Sequence, residues 1–100
     1  MNGLKKIKVE FCAELLSVVA NPVRLKILML LVQEEEVSVK TISSHVESSQ
    51  SAVSQHLAKL RRKGLVGSRR DAQTIYYSSR SPIVFALLRT LKDISNELPD

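Results

Sequence analysis

The sequence predicts a small, mainly α-helical domain that carries one β-hairpin. Three observations support this fold class. Apolar residues recur at helical spacing in several segments, capping residues or prolines mark where helices begin, and two β-prone runs lie close together after residue 64. The 100 residues, 44% of them hydrophobic, suffice for one domain with a modest core. We therefore expect residues 1–100 to form a single domain.

The first two helices are separated by a clear boundary. Apolar residues at helical spacing define the first helix: Phe11, Leu15, Val18 and Val19. Asn21 and Pro22 then supply an N-cap and a first-turn proline for a second helix over about 22–33. This helix is apolar over most of its circumference, which predicts a central, buried position. The glutamates at 34–36 would oppose the negative end of the helix dipole, so we expect them in a solvated loop.

Two short helices joined by a turn are predicted next. Residues 37–39 form a short extended piece, residues 41–46 a brief helix, and residues 47–49 the turn. Ser49 is the predicted N-cap of the following helix, and Gly64 follows its end as a typical C′ residue. The apolar positions of this helix are spaced by four and three residues, which predicts burial of Val53, Leu57 and Leu60.

A hairpin and a last helix complete the chain. The β-prone runs 65–69 and 74–78 flank a polar loop at 70–73, and Ser81 with Pro82 begins the last helix. Its apolar residues form a heptad seam: Val84, Leu87, Leu91, Ile94 and Leu98. This seam predicts that one side contacts the core and the other a second copy; a purely intramolecular amphipathic helix is the alternative. The predicted order, α-α-β-α-α-β-β-α, is that of a winged helix-turn-helix.

Positive charge is concentrated in one part of the chain. Residues 50–80 hold seven of the 15 Lys and Arg residues and one acid, Asp71, in a chain of net charge +5. A polar helix followed by a basic ribbon suits the grooves and phosphates of double-stranded DNA. Two Tyr, two Phe and no Trp offer few surfaces for stacking unpaired bases, which argues against a single-stranded partner.

Several classes of protein are disfavoured by composition. The longest apolar run, residues 27–32, is far shorter than the roughly 20 residues of a membrane span, and Glu14 interrupts what could otherwise be a signal peptide. One cysteine, Cys12, cannot form an intramolecular disulfide and fits a reducing compartment. No phosphate-binding loop, carboxylate pair or activated nucleophile is evident. We expect a soluble cytoplasmic protein with no membrane partner, no cofactor and no enzymatic activity.

Three segments resemble one family of regulators. ANPVRLKILMLL, SQSAVSQHLAKLRRKGLV and RRDAQTIYYSS resemble bacterial ArsR/SmtB-family transcriptional repressors, and the match runs from about Ala20 to Ser95. QSAVSQHLAKLR and RRDAQTIYY look most like the NolR- and HlyU-like subgroup, which is not defined by metal sensing. The resemblance implies a homodimer formed by the first and last helices. It also implies that the helix from Gln50 reads the major groove and that the hairpin acts as a wing.

The candidate DNA contacts fall into three groups. Side chains suited to base edges are Gln50, Ser51, Ser54 and Gln55. Side chains suited to phosphates are Lys59, Arg62, Arg69 and Arg70, and Arg70 with Gln73 could also reach the minor groove from the wing. Lys40 and Thr41 begin the preceding helix, whose amides could hold a phosphate. His56 lies in the stretch that resembles the family's recognition helix, as a candidate DNA contact.

Regulatory ligands familiar in the family are missing from this sequence. Residues 38–42 are Ser-Val-Lys-Thr-Ile where one metal site of the family has Cys-x-Cys, and the last helix contains no His. We therefore predict no metal site. Thiol-switch members need an intrachain cysteine pair, which one cysteine cannot form. Two interpretations of Cys12 stay open, a small buried hydrophobic residue or an intersubunit redox switch. His45 is expected to be structural or solvated.

The function predicted from the sequence is a homodimeric repressor that binds an inverted-repeat operator. Two alternatives stay open: a winged-helix scaffold for protein interactions, and an architectural protein that binds DNA without sequence preference. The segregated positive charge of residues 50–80 argues against the scaffold.

Overall fold

The computed structural model describes residues 2–97, with the side chain of Asn2 excepted. A 3-10 helix at Asn2–Lys6 precedes the following elements: α1 (Val9–Val19), α2 (Pro22–Gln33), β1 (Val37–Ser38), α3 (Val39–Val46), α4 (Gln50–Arg62), β2 (Gly67–Asp71), β3 (Thr74–Ser78) and α5 (Pro82–Asn96). The mainly α winged helix-turn-helix predicted from the sequence is confirmed.

The predicted caps begin three of the helices. The Asn21 side chain accepts hydrogen bonds from the amides of Val23 and Arg24, at 2.9 and 3.1 Å, and starts α2. Ser49 and Ser81 cap α4 and α5 in the same way, and a proline follows the cap in α2 and α5. Such caps act within a few residues, which is why the sequence alone located these helix starts.

A three-stranded antiparallel sheet, in the order β1-β3-β2, forms the wing and its base. Val37 of β1 and Ser68 of β2 both pair with Tyr77 of β3. The predicted limits of the first hairpin strand were wrong. The Leu65 amide donates to the Leu60 carbonyl at the end of α4, and Leu65 and Val66 are buried in the core. Strand β2 begins instead at Gly67 and continues to Asp71. The hairpin loop therefore has two residues, Ala72 and Gln73, and Ala72 adopts a φ of 55°.

The core lies between α2 and α4. Ile27 and Leu28 of α2 are 0% exposed, which confirms the predicted central position of this helix. The three predicted core residues of α4, Val53, Leu57 and Leu60, are also fully buried. Helices α3 and α5 complete the core mainly through Ile42 and Val84. Burial of one side of α4 leaves its polar side facing outward.

Apolar side chains remain exposed on α5 and near the N-terminus. On the seam of α5, Val84 is buried and Leu87 partly buried, whereas Leu91 and Ile94 are 36% and 54% exposed. Leu98, the fifth predicted seam residue, lies outside the described residues. A groove of about 560 Å³ between α2 and α5 is lined by Met29, Phe85 and Leu91 among others. A second exposed group lies near the N-terminus: Leu4, Ile7, Val9, Phe11 and Leu16.

No single helix within residues 2–97 is long and apolar enough to cross a membrane. Helices α1 and α2 meet the length and composition requirements only when taken together, and they are bent by 94° to one another.

Candidate nucleic-acid interface

Helices α3 and α4 form a helix-turn-helix whose turn is fixed by local hydrogen bonds. Glu47 ends α3 in the left-handed conformation, with a φ of 55°. The Ser43 hydroxyl donates to the Ser48 carbonyl across the turn. Ser49 Oγ then accepts from the Ala52 amide at 3.1 Å and starts α4. These bonds hold α4 at a set angle to α3, as a helix that enters a DNA groove requires.

The outer face of α4 presents all four predicted base-reading side chains. Gln50, Ser51, Ser54 and Gln55 are exposed, while Val53 and Leu57 between and beyond them point into the core. Residues three and four positions apart are neighbours on a helix surface, so Ser54 adjoins Gln50 and Ser51, and Ser51 adjoins Gln55, in one continuous polar surface. Hydroxyl and carboxamide groups can donate to and accept from base edges.

Three exposed cations end α4: Lys59, Arg61 and Arg62. Two of them, Lys59 and Arg62, are the predicted phosphate contacts. Lys63, one residue further, is bound instead within the protein. Its Nζ lies 2.6 Å from Glu14 Oε2 of α1 and 5.1 Å from the centre of the Phe11 ring.

In the wing, Arg70 and Gln73 are exposed, whereas Arg69 is bonded to another residue of the protein. Arg70 and Gln73 are exposed at the tip of the hairpin. Arg69 Nε lies 2.9 and 2.7 Å from the two carboxylate oxygens of Glu36, and its guanidinium lies 4.9 Å from the centre of the Tyr76 ring. The hydrogen bond lowers the pKa of Glu36 and raises that of Arg69. The Arg69 guanidinium is therefore bonded to Glu36, whereas Arg70 makes no such bond among the described residues.

This ion pair corrects one expectation from the sequence. Glu34 and Glu35 are exposed, as expected for a solvated run, but Glu36 is partly buried and bound to Arg69. The two partners are 33 residues apart and meet because β1, which follows Glu36, and β2, which carries Arg69, both pair with β3. The sequence near Glu36 contains no local signal for such a contact.

The start of α3 also differs from the prediction. The helix begins at Val39, two residues before the predicted start, because Ser38 acts as its N-cap. The Thr41 amide donates to Ser38 Oγ at 3.2 Å, so this amide is already bound within the protein. Lys40 and the Thr41 side chain are exposed. They line a groove of about 860 Å³ together with His45, Gln50 and Gln73, which places α3, α4 and the wing tip around one concavity.

His56 faces α2 and is partly buried. Its Nδ1 accepts a hydrogen bond from Arg24 Nε at 3.0 Å. This contact directs His56 away from the outer face that carries Gln55. Arg24 was not among the candidate residues. One signal could have identified it. A cation in the first turn of a mostly apolar helix is destabilised by the helix dipole, so a compensating hydrogen bond is expected there.

Groups that could bind metal are scattered. Over the described part of the chain, no three His, Cys, Asp or Glu side chains come together as a metal-binding group. Cys12 is a free thiol on α1 and is only partly buried, in contrast to the expected buried position.

A helix-turn-helix followed by a basic hairpin defines the chain as a winged helix-turn-helix protein of the DNA-binding class. Residues 21–68 match the model of the bacterial regulatory protein, arsR family. The chain is 53% identical over 91 residues to the nodulation protein NolR of Rhizobium meliloti, covering 91% of this chain and 74% of that protein. It is 51% identical over 77 residues to the transcriptional activator HlyU of Vibrio cholerae, covering 77% and 70% respectively.

A solved structure shares the whole fold. The transcriptional repressor BigR from Xylella fastidiosa superimposes with a TM-score of 0.85 at 27% identity, covering 100% of this chain and 99% of that one. This chain belongs to the arsR family of bacterial regulatory proteins, as the resemblance predicted. It is a DNA-binding transcription regulator and not an enzyme.

Proposed function

We propose that this protein is a cytoplasmic homodimeric repressor that occupies an inverted-repeat operator. The observation that carries the proposal is the outer face of α4, where four groups able to read base edges share the helix with three exposed cations. Repression follows if the operator overlaps a promoter, because a bound dimer then excludes the polymerase. Activation, the role named for the similar HlyU, would instead require a bound dimer that leaves the polymerase access to the promoter.

Each exposed group has a specific role in this proposal. Gln50, Ser51, Ser54 and Gln55 contact base edges in the major groove. Lys59 and Arg62 contact phosphates beside it. From the wing, Arg70 contacts phosphate and reaches with Gln73 into the adjacent minor groove. Lys40 and the Thr41 hydroxyl contact the backbone from the start of α3.

The homodimer is supported by the exposed apolar surface. Phe85, Leu91 and Ile94 on α5 are 48%, 36% and 54% exposed, and Phe11 and Leu16 on α1 are also exposed. So much clustered apolar surface on a domain of 100 residues is typical of an interface. A two-fold dimer presents two copies of α4 in opposite orientations. It would therefore recognise two half-sites of an inverted repeat.

Selection of binding sites from random duplexes tests the proposal directly. The purified protein is incubated with a randomised duplex library, and bound duplexes are separated by gel shift and sequenced. An enriched inverted repeat is the expected result. Uniform binding would instead indicate an architectural DNA binder, and absence of binding would indicate a protein-interaction scaffold. Placing the selected repeat over a promoter in a reporter then distinguishes repression from activation.

Release of Arg69 is expected to strengthen DNA binding. Glu36→Gln removes the carboxylate that holds Arg69, which could then contact a phosphate. We expect tighter binding to operator and random DNA and a salt slope steeper by roughly 0.9 per new contact, or twice that for a dimer. Glu35→Gln is the matched control, since it changes the charge equally at an exposed position without a bond to Arg69. Identical effects of the two substitutions would show that the ion pair does not restrain Arg69.

Metal ions are expected to leave operator affinity unchanged. Soft and borderline metals such as Cd(II), As(III) and Zn(II) favour thiolate and imidazole ligands, and the described residues do not bring three suitable ligands together. Titration of each ion to about one equivalent, with reductant present to protect Cys12, checks this. Release of the operator at that ratio would contradict the prediction.

A further inference from the structure

A guanidinium group connects three helices next to the DNA-reading face. Arg24 of α2 donates from Nε to His56 Nδ1 of α4 at 3.0 Å and from Nη1 to the Val18 carbonyl of α1 at 2.9 Å. All three residues are partly buried. Since Val18 lies in the last turn of α1, the guanidinium joins the end of one helix to the middle of another.

The position of His56 makes this contact relevant to DNA recognition. His56 directly follows Gln55, which lies on the outer face of α4. If the imidazole moved relative to α2, the helical turn that carries Gln55 would rotate or shift. Base contacts tolerate little displacement, because hydrogen bonds weaken steeply with distance and angle. Phosphate contacts by long, mobile Lys and Arg side chains tolerate more.

We infer that Arg24 is a positioning residue for α4, and that it holds the helix in reading position only through a neutral His56. This inference rests on the proposed DNA-binding role of α4. It goes beyond that role by assigning specificity to a residue that does not contact DNA. It also replaces the interpretation of His56 as a DNA contact.

The hydrogen bond determines the protonation state of His56. Nδ1 accepts from Arg24 Nε, so the neutral imidazole carries its proton on Nε2. A second proton would occupy the lone pair that Arg24 uses and would place a third cation beside Arg24 and Lys59. Burial, together with Arg24 and Lys59, lowers the pKa of His56. The stabilisation is therefore complete above the ordinary histidine pKa of about 6.5 and is lost as the pH falls through the lower pKa of the folded protein.

The surrounding charges do not compensate for that proton. Arg24, Lys59, Arg62 and Lys63 line one shallow cleft, to which α1 contributes Ser17 and Val18. The carboxylate that α1 directs to this region, Glu14, is bound to Lys63. Acid should therefore weaken the junction. A direct phosphate contact by His56 would behave in the opposite way, because a protonated imidazole binds phosphate more tightly. The sign of the pH effect separates the two roles.

The test uses the full chain, an operator chosen by the selection above and a random duplex of equal length. Both affinities are measured between about pH 7.5 and 5.5 at constant ionic strength. His45→Gln is the background, which leaves His56 as the single histidine of a chain that has two, and because His45 lines the groove between α3 and the wing, the operator Kd of this variant is first compared with that of the parent chain at pH 7.5. We expect the operator Kd to rise as the pH falls below about 6.5, toward a limit of about tenfold per half-site once His56 is protonated, the effect of losing one charge-assisted hydrogen bond, while the random-duplex Kd does not rise.

Three substitutions in the same background resolve the mechanism. His56→Asn places a non-titrating acceptor near the position of Nδ1 and should keep operator binding at pH 7.5 while removing the pH dependence. His56→Ala removes the acceptor and should weaken operator binding by about tenfold at all pH values. Arg24→Lys keeps the charge, but its single nitrogen cannot occupy the positions of both Nε and Nη1, so it should resemble His56→Ala. Circular dichroism at each pH checks that every variant is folded. If Arg24→Lys is unfolded, the comparison of His56→Asn with His56→Ala tests the positioning role by itself.

Failure of the proposed function and failure of the positioning role of Arg24 give different results. If no operator is enriched at pH 7.5, the proposed function fails, and this inference fails with it. If an operator is bound but acid tightens binding through His56, or His56→Ala equals His56→Asn, the positioning role alone is overturned.

Discussion

Leu91→Lys is expected to abolish the dimer and operator binding together. Leu91 lines the groove between α2 and α5 beside Phe85 and Leu88, where the proposed partner would cover it. Leu91 is 36% exposed, so a partner would bury only about a third of it and gain roughly 0.5–1 kcal/mol per copy, and a two-fold interface contains the position twice. The loss of about 1–2 kcal/mol corresponds to a dimer weakened roughly 5-fold to 30-fold. The larger cost is the burial of an ammonium group, which is of the order of several kcal/mol per copy.

Sedimentation velocity at micromolar concentration measures this effect. Thr90→Lys is the matched control: it adds the same charge to α5 at an exposed neighbouring position outside the groove. The control should remain dimeric, whereas Leu91→Lys should sediment as monomer or aggregate. A wild-type protein that is monomeric under these conditions would refute the proposed dimer. Dimeric Leu91→Lys would place the interface elsewhere.

The second large effect is a contrast between Gln55→Ala and Arg70→Ala. Gln55 is proposed to pair with a base edge, so its removal should cost about 1–3 kcal/mol per half-site on the operator and little on random DNA. Arg70 is proposed mainly to neutralise phosphate. Its removal should weaken binding to both duplexes and lower the salt slope by roughly 0.9 per contact, or about twice that for a dimer.

One salt titration on two duplexes measures both substitutions. The distinction is informative because both side chains are exposed and neither is part of the core, so a change in folding stability is not expected from either. Equal losses on operator and random DNA for Gln55→Ala would mean that the reading face of α4 is assigned wrongly. An unchanged salt slope for Arg70→Ala would mean that the wing does not contact phosphates.

Most element boundaries that depend on neighbouring residues were predicted from the sequence, whereas those that depend on long-range contacts were not. The start of α2 at Pro22 and its end at Gln33 were predicted correctly, as were the turn before α4 and the buried positions of that helix. Each depends on a cap, a proline or an apolar spacing within about one turn. The errors at the hairpin and at Glu36 occurred where distant segments meet, whereas the error at the start of α3 came from a local cap, Ser38, that was not predicted. Leu65 and Val66 have the β propensity of a strand but are buried in the core before β2 begins.

Local signals in the sequence suffice for the fold class, the starts of α2, α4 and α5 and the polar face of α4, because capping and periodicity act between residues a few positions apart. Which cations face outward and which are bonded within the protein depends instead on tertiary contacts. Arg24 meets His56 across 32 residues, Lys63 meets Glu14 across 49, and Arg69 meets Glu36 across 33. Such pairs form where packing brings helices and strands together. A list of basic residues therefore cannot distinguish those directed at DNA from those that hold the reading helix and the wing in place.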